Sequence, residues 1–395
     1  MVDFITFQLI GGQDLLSSAL WFVVLMVFFM FYPRLMISQI MYKLERSVTK
    51  MEKMSDESKK FLLKEMTKKP DKRLKDSVER FYEFFSISPV SLDPYGIVSK
   101  LDHMMREQKD RFDYFVNQSI PKEDVEKKAN IVMGFAAGIS LYGVAKVVRH
   151  YVELVKKTKN FQIAMLIQMQ LPLIEKIAES LEKGTRSLAH GEPIGDSIGP
   201  LVAADLIGKS KATEIEEDVV MAKITKNKRN IFVIKSKGPG GRLGFPGKAV
   251  QKLVAKNKIT RFITVDAAAK LEGEKTGSIA EGTGVAMGGI GVEKSYIEDA
   301  AIKNNIPIDS IIIKMSQEEA ITPMPKPVKD ALPKVREAIE RSLERTKAGD
   351  NILLVGVGNT SGVGNDSSYV PTVSKWVDTQ HRKKEAEKKK KKRFR

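Results

Sequence analysis

The sequence predicts an α/β protein in three parts: an N-terminal transmembrane helix, a helical region, and a domain built on a largely parallel sheet. An uncharged apolar run occupies residues 15–32, and apolar residues recur at helical spacing from there to about residue 190. Beyond that point, short β-type runs alternate with helical segments, which is typical of α/β domains. We therefore assign the transmembrane anchor to 15–33, the helical region to 34–190, the α/β domain to 191–378 and a disordered basic tail to 379–395.

The anchor is predicted from length and flanking charge. A helix over residues 15–32 spans roughly 27 Å, about one hydrocarbon thickness. Only Asp3 and Asp14 precede it, whereas basic residues follow from Arg34 onward. The positive-inside rule then places the N-terminus outside and the bulk of the chain in the cytoplasm, as a single-pass cell-membrane protein. A cleaved signal peptide is disfavoured because no basic segment precedes the run and no small-residue cleavage site follows it.

Composition limits the chemistry. The chain has 395 residues, a formal charge of +17, no cysteine and four histidines. Disulfides, cysteine-ligated iron–sulfur clusters and thiol catalysis are excluded, and the scattered histidines disfavour a multi-histidine metal site. The length leaves room for the anchor and about two domains of ordinary size.

The C-terminal tail is strongly basic. Residues 382–395 contain ten basic and two acidic side chains, a block that predicts disorder. Its functional interpretation is an electrostatic contact with anionic lipid or ribosomal RNA. A solvated tail without a partner is the alternative, and the sequence leaves both open.

The second most hydrophobic stretch, residues 131–148, is long enough to be another transmembrane helix. Its glycines and Lys146 favour a buried core helix instead. We expect residues 161–174 to pack against it, with Met165 and Met169 filling the core.

In the α/β domain, we predict a strand hairpin followed by alternating helices and strands. The strands are expected at 219–225, 230–236, 261–267, 310–315 and 351–358, and the helices at 197–208, 247–257, 292–304 and 327–347.

A glycine-rich loop at 236–250 connects a predicted strand to a predicted helix, where free backbone N–H groups can hold an anion. This loop does not match the sequence signatures of nucleotide-binding loops. A P-loop needs glycine at Arg242 and Ser or Thr at Ala249, and a dinucleotide loop needs glycine at Leu243. ATP and NAD are therefore disfavoured, and a phosphate or carboxylate is the expected ligand. The predicted anion-binding residues are Gly238, Gly240, Gly241 and Arg242.

Acidic residues mark a second candidate site. Asp196 precedes an apolar helix within GDSIGP, and Asp266 ends the strand RFITV at the carboxyl edge of the sheet. Glu274 and Glu281 lie in the glycine-rich loop 273–289. A helix N-cap worth about 1 kcal/mol is the alternative for Asp196, and a strand-end turn is the alternative for Asp266. We predict a catalytic set of Asp196, Asp266, Glu274 and Glu281.

The segments GDSIGPLVA (195–203), VDAAAKL (265–271) and GTGVAMGGIG (282–291), in this order, resemble the hydrogenase-maturation endopeptidases and the spore germination protease. The resemblance covers residues 195–366. It implies a phosphorylase/hydrolase-like fold in circularly permuted form, because the family's first strand matches NILLVGVGN at 351–359. The whole chain also resembles an uncharacterised family of archaeal membrane-anchored proteins.

In those peptidases, the positions matching Asp196 and Asp266 bind a metal or activate water. The resemblance therefore implies a divalent metal on Asp196 and Asp266. The family's third ligand is a histidine, and none occurs between residues 191 and 380. Glu274, Glu281 or Asp366 would have to replace it. Two hypotheses follow: a membrane-anchored, peptidase-like hydrolase, or a non-catalytic membrane scaffold. The oligomeric state and the substrate are left open.

Overall fold

The computed structural model describes the backbone at residues 3–90, 95–288 and 291–393. Side chains are described there except at 3–18, 31, 33, 34 and 391–393. The chain divides into two compact units. The first contains Met1–Met54 and Tyr142–Ala178, and the second contains Ser55–Leu141 and Glu179–Arg395.

Five long helices occupy the N-terminal half, where the sequence predicts helix. They are α1 (Asp3–Met66), α2 (Lys72–Tyr82), α3 (Ile97–Ser119), α4 (Val125–Thr158) and α5 (Phe161–Ala189). Within the described residues, two segments are long and apolar enough to cross a membrane, Ala19–Met66 and Val125–Thr158. The apolar window of the first has no buried residues, and that of the second is 44% buried.

In the first unit, α1 packs against the end of α4 and the start of α5. Arg149 of α4 forms ion pairs with Glu45 and Glu52 of α1, both at 2.7 Å. The hydroxyl of Ser47 on α1 donates to Glu175 on α5. Apolar side chains are buried between them: Leu44, Val48, Met51, Val152, Val155, Ala164 and Leu171.

The predicted core role of the α5 methionines does not hold. Met165 is 42% exposed and Met169 is 68% exposed. The buried residues of this segment are Ala164 and Leu171, seven apart, so the methionines lie on the opposite face of the helix.

The helical part of the second unit has its own core. The buried face of α4 carries Ile131, Phe135 and Leu141. The ring of Phe135 lies edge-on to Phe81 and Phe115, which stack on each other 3.9 Å apart. This packing favours a core role for the first half of segment 131–148.

The sheet has seven strands: β1 (Thr213–Glu216), β2 (Val219–Lys226), β3 (Arg229–Ser236), β4 (Arg261–Ala269), β5 (Ile279–Thr283), β6 (Ile308–Met315) and β7 (Asn351–Gly356). Their order is β1-β2-β3-β7-β4-β6-β5. The four central strands are mutually parallel, and β1, β2 and β5 are antiparallel to their neighbours. The prediction of a largely parallel sheet is therefore wrong, and the sheet is mixed.

Two-residue connections join β1 to β2 and β2 to β3, and they leave no room for a crossover helix. The predicted hairpin of β2 and β3 is confirmed. Its two turn residues, Asn227 and Lys228, both have positive φ, as a type I′ turn requires. Strand β5 lies within the segment that the sequence analysis treated as a loop.

Helices cover both faces of the sheet. They are α6 (Ile198–Ile207), α7 (Pro246–Lys256), α8 (Val292–Lys303), α9 (Gln317–Ile321), α10 (Lys326–Lys329), α11 (Leu332–Glu344) and α12 (Tyr369–Arg393). Ile231 and Val233 of β3 belong to the core beneath α6, α11 and α12. Phe232 and Ile234 of the same strand belong to the core beneath α7 and α8. This alternation is the two-residue period of a strand buried on both faces.

The predicted tail at 379–395 differs from the structure, because α12 continues as a helix to Arg393. The helix begins on the core, where Val373 and Val377 are buried. Lysine, glutamate and arginine are good helix formers, and Lys388 pairs with Glu385 one turn away. A helix already formed on the core can therefore extend through the charged residues.

Candidate functional site

The carboxyl ends of β4 and β7 form the candidate site. These strands are parallel neighbours. The chain leaves β7 toward α12 on one face of the sheet, whereas after β4 it forms the edge strand β5 and then α8 on the other face. In α/β sheets, ligands bind in the crevice that such diverging connections open.

The segment Gly195–Ser197 brings Asp196 to this edge. It forms a 3₁₀ turn before α6, whose first turn packs against backbone. A Cβ atom on Gly199 would lie 2.0 Å from the carbonyl oxygen of Val357 and 2.7 Å from that of Val265. Only glycine permits this approach. It lets the Asp196 carboxylate accept a hydrogen bond from the N–H of Asn359 at 2.7 Å.

Asp266 lies in β4, one residue beyond the last pair of β4 with β7, and is only 4% exposed. Its carboxylate accepts a hydrogen bond from the N–H of Ala267 at 2.7 Å. Burial raises the pKa of Asp266 well above 3.8, and the nearby charge of Asp196 raises it further. The loop after β7 brings the two predicted aspartates together, because Val357 donates its N–H to the carbonyl of Val265, next to Asp266, and Asn359 donates its N–H to Asp196.

Burial also raises the pKa of Asp196, against the lowering effect of the Asn359 N–H. Two carboxyl groups with raised pKa values and mutual repulsion favour a state in which one is protonated and the other ionised. Such a pair has a proton donor and a proton acceptor at the same edge of the sheet.

The loop after β7 supplies buried polar groups that the sequence analysis missed. Asn359 is 2% exposed, and its Oδ1 accepts from the N–H of Ser361 at 2.9 Å. Its Nδ2 is buried and has no hydrogen-bond partner among the described residues. A buried donor without a partner is uncommon in folded proteins, and this one is carried by the residue that holds Asp196. The sequence resemblance matches this loop to the first strand of the peptidase family but gives Asn359 no role.

The other predicted acidic residues lie elsewhere. Glu274 pairs with Lys314 and accepts from the N–H of Leu271. Glu281 lies on the edge strand β5 and pairs with Arg341, and Asp366 accepts from the N–H of Ser368. The placement of Glu274 and Glu281 in the catalytic set is therefore not supported.

In the described part of the chain, no three His, Cys, Asp or Glu side chains are grouped so that they could hold a metal. The divalent metal suggested by the sequence would have two protein carboxylates, Asp196 and Asp266. Mg²⁺ accepts one or two carboxylates when substrate oxygens and water complete its coordination.

The predicted anion loop is occupied by the protein itself. Its N–H groups donate to side chains, and its arginine is paired with two carboxylates. The contacts are Gly238 with Asn365 at 2.9 Å, Gly240 with Glu126 at 2.6 Å, Gly241 with Asn130 at 2.7 Å, and Arg242 with Glu126 at 2.5 Å and Asp218 at 3.2 Å. These residues therefore join two parts of the second unit rather than offering free donors to a ligand.

Comparison with protein families gives two matches. Residues 18–191 match the DUF1512 N-terminal domain, and residues 194–364 match the DUF1512 C-terminal domain, both described as of unknown function. The chain belongs to the DUF1512 family. The C-terminal match spans both halves of the candidate site, from the turn at Asp196 to the loop at Asn359. No curated protein and no solved structure matches the chain.

A buried lysine was also missed in this DUF1512 C-terminal domain. Lys235 ends β3 with no exposed surface, and burial lowers its pKa to about 7. Its Nζ donates to the carbonyl oxygen of Ser236 at 2.7 Å and to Oδ1 of Asn365 at 3.1 Å. A charged residue inside the apolar strand NIFVIKS was the available sequence signal. The contact ties the loop after β3 to the loop after β7.

A cavity of about 490 Å³ lies between α3, α4 and residues 241–245. Its volume is in the range of small-molecule sites. Most of its lining is apolar, including Phe112, Val132 and Phe245. The position of a Cβ on Gly241, in its wall, would be 3.4 Å from Oδ1 of Asn359, so the wall of the cavity adjoins the candidate site.

A second buried carboxyl group in the DUF1512 C-terminal domain gives a pH prediction. Glu293 of α8 is 7% exposed and accepts a hydrogen bond from the N–H of Gly247 at the start of α7, at 2.6 Å. Burial raises its pKa from 4.5 to about 7, and the charge of Asp102 adds to the rise. Glu293 therefore makes its full contribution to the free energy of unfolding below pH 4.5, where it is neutral. This contribution is lost as the pH rises through about 7 and the buried group ionises.

We expect Glu293→Gln to raise the free energy of unfolding by roughly 2–3 kcal/mol above neutral pH, because the variant avoids burying a charge. The gain should shrink to nothing as the pH falls toward 4.5. Thermal unfolding followed by circular dichroism across this pH range measures it. Glu298→Gln on the same helix is the control, since that side chain is partly exposed. If the change in unfolding free energy varied with pH equally in the two variants, Glu293 would not be a buried carboxyl group with a raised pKa.

Proposed function

We propose that this protein is a membrane-attached hydrolase in which Asp196 and Asp266 form an acid–base pair. The observation that carries the proposal is the position of these two carboxyl groups beside the end of β7, one on the turn before α6 and the other on β4. Burial raises both pKa values, and the charge of Asp196 raises that of Asp266 further. They come from segments seventy residues apart, and the loop after β7 holds one of them in place.

The pair suits the hydrolysis of an amide or ester. The ionised carboxylate accepts a proton from water as its oxygen attacks the carbonyl carbon, and the protonated carboxyl gives its proton to the leaving group. The free Nδ2 of Asn359 is a donor for the carbonyl oxygen of the substrate. The sequence resemblance to metal-dependent peptidases supports the same reaction class.

Membrane attachment is part of the proposal. Residues 15–33 would span the bilayer with the N-terminus outside, and the α/β domain would be cytoplasmic. The apolar side chains from Leu20 to Met30 are all about half exposed or more, which fits contact with lipid. The archaeal origin stays a prediction from the sequence alone.

A non-catalytic scaffold is the second candidate. It is favoured by the anion loop, whose donors bond to other groups of the protein. It is also favoured by the lack, among the described residues, of a third carboxylate grouped with Asp196 and Asp266. In that case, α12 would present its basic surface to anionic lipid or ribosomal RNA.

Hydrolysis by the full-length protein in detergent or nanodiscs tests the first candidate. Fluorogenic peptides and p-nitrophenyl esters, with and without Mg²⁺, are suitable probes. We expect Asp196→Asn and Asp266→Asn each to reduce turnover by about 10²-fold or more, as for other acid–base groups. Asp205→Asn on α6 is the matched control, because that carboxylate pairs with Arg336 away from the site. Turnover that is equal in all four proteins, or absent in all of them, would favour the scaffold.

A further inference from the structure

The turn between α4 and α5 is strongly basic and has no acidic residue near it on its C-terminal side. Lys156, Lys157 and Lys159 lie in or beside the turn, and no Asp or Glu occurs from residue 154 to residue 174. Asn160 accepts a hydrogen bond from the N–H of Ile163 at 3.1 Å and so caps the start of α5. The turn is therefore a defined feature and not a loose connection.

Two of the three lysines lack an acidic partner. Lys156 pairs with Glu153 at 2.8 Å and with Glu45 at 3.2 Å. Lys157 and Lys159 are exposed and form no ion pair with any described residue. The positive charge of the turn is thus not neutralised within the first unit.

Exposed apolar side chains occur on the helices that lead into and out of the turn, and on α1. Tyr151 of α4 is 43% exposed, and Met165 and Leu166 of α5 are 42% and 61% exposed. Tyr42 of α1 is 71% exposed. Lysine beside exposed tyrosine, methionine and leucine is the composition of a surface that contacts the membrane interface.

The register of the helices places the turn near the end of the apolar run. Arg149 pairs with Glu45 and Glu52, whereas Lys156, two turns later, pairs with Glu45. Helix α4 therefore runs back along α1 toward its N-terminal part. At 1.5 Å per residue, the turn lies roughly 10–15 Å from the level of Tyr32, where the uncharged run ends. The headgroup layer of a bilayer begins at that level.

We propose that this turn and the apolar side chains beside it form a second membrane contact that binds anionic lipid headgroups. The contact rests on the proposed membrane attachment through residues 15–33. A symmetric contact with a second copy of the chain would bring the same unpaired lysines together, and their repulsion disfavours it.

Because the chain has no cysteine, single spin labels report on chosen positions of the full-length protein. We would label Leu166→Cys, with Phe28→Cys in the apolar run and Thr49→Cys on an exposed polar position as references. Each protein is reconstituted in nanodiscs of phosphatidylcholine alone or with added phosphatidylglycerol. For each spin label, the collision rate with oxygen, which dissolves in lipid, is compared with the collision rate with a water-soluble nickel complex.

We expect the oxygen-to-nickel ratio at Leu166→Cys to rise several-fold above that at Thr49→Cys in nanodiscs with phosphatidylglycerol. Adding Lys157→Gln and Lys159→Gln should remove the rise. If Phe28→Cys is itself open to water, the membrane attachment of the proposed function is overturned. If Phe28→Cys contacts lipid while Leu166→Cys matches Thr49→Cys, or is shielded from both agents, only the second contact is overturned.

Discussion

Replacing Gly199 by alanine is expected to lower the free energy of unfolding by about 3 kcal/mol or more, since the new methyl group meets backbone on two sides. The carbonyl oxygens of Val357 and Val265 would lie 2.0 Å and 2.7 Å from the added carbon. Neither strand can yield, because β4 and β7 are hydrogen-bonded at the centre of the sheet. Helix α6 must therefore move away, and the contact between Asp196 and Asn359 should be lost with it.

Gly143→Ala is the matched control for this substitution. Gly143 also lies in a helix, but apart from its chain neighbours and the backbone of its own helix no described atom lies within 4 Å of an added Cβ. Alanine there should stabilise the helix by up to about 1 kcal/mol. Thermal unfolding of both variants in the same detergent measures the difference. A loss at Gly199→Ala no larger than the change at Gly143→Ala would show that α6 does not pack on the strand ends as described.

Asp266→Asn is expected to stabilise the protein at neutral pH, by about 1–2 kcal/mol as for other substitutions that relieve a functional site. Asparagine keeps the acceptor for the Ala267 N–H but carries no charge. The pKa of Asp266 is raised in the folded state, so its ionisation costs stability as the pH rises above 3.8. The gain should therefore grow with pH, level off above the raised pKa, and vanish near pH 3.8.

Asp309→Asn on the neighbouring strand β6 should have the opposite effect. Asp309 is also buried, at 8% exposure, but it is paired with Arg261 at 2.9 Å and accepts from the hydroxyl of Ser342. Removing one partner of a buried ion pair costs about 3–5 kcal/mol. The free energies of unfolding of both variants, measured across the pH range, test this difference. Destabilisation by both substitutions at neutral pH would mean that Asp266 is neutralised by a group not identified here.

The sequence was sufficient for the central strands and the helices between them, because their apolar runs are long and periodic. It missed β1 and β5, whose sequences TEIE and IAEGT carry too few apolar residues to indicate a strand. Those edge strands, together with β2, make the sheet mixed. Position at the edge of the sheet, rather than local propensity, determines that they pair.

Part of the site was also accessible from the sequence. Asp196 and Asp266 stood out because each adjoins an apolar run at a strand or helix end. Asn359 could not be assigned, since its role depends on β7, the last strand, inserting between β3 and β4. Glu274 and Glu281 form ion pairs with Lys314 and Arg341, and an acidic residue in a glycine-rich segment gives no indication of such a partner in the sequence.

The interaction between Asp196 and Asp266 is the central claim, and a double-mutant cycle measures it most directly. The free energies of unfolding of Asp196→Asn, Asp266→Asn and the double variant are compared with the unsubstituted protein above neutral pH and near pH 3.8. Each single substitution already removes the repulsion between the two carboxylates. The gain in unfolding free energy of the double variant should therefore be smaller than the sum of the two single gains, by about 1 kcal/mol or more above neutral pH. The shortfall should disappear near pH 3.8, where both carboxyl groups are neutral. Additive gains at every pH would show that the two carboxyl groups do not share a site.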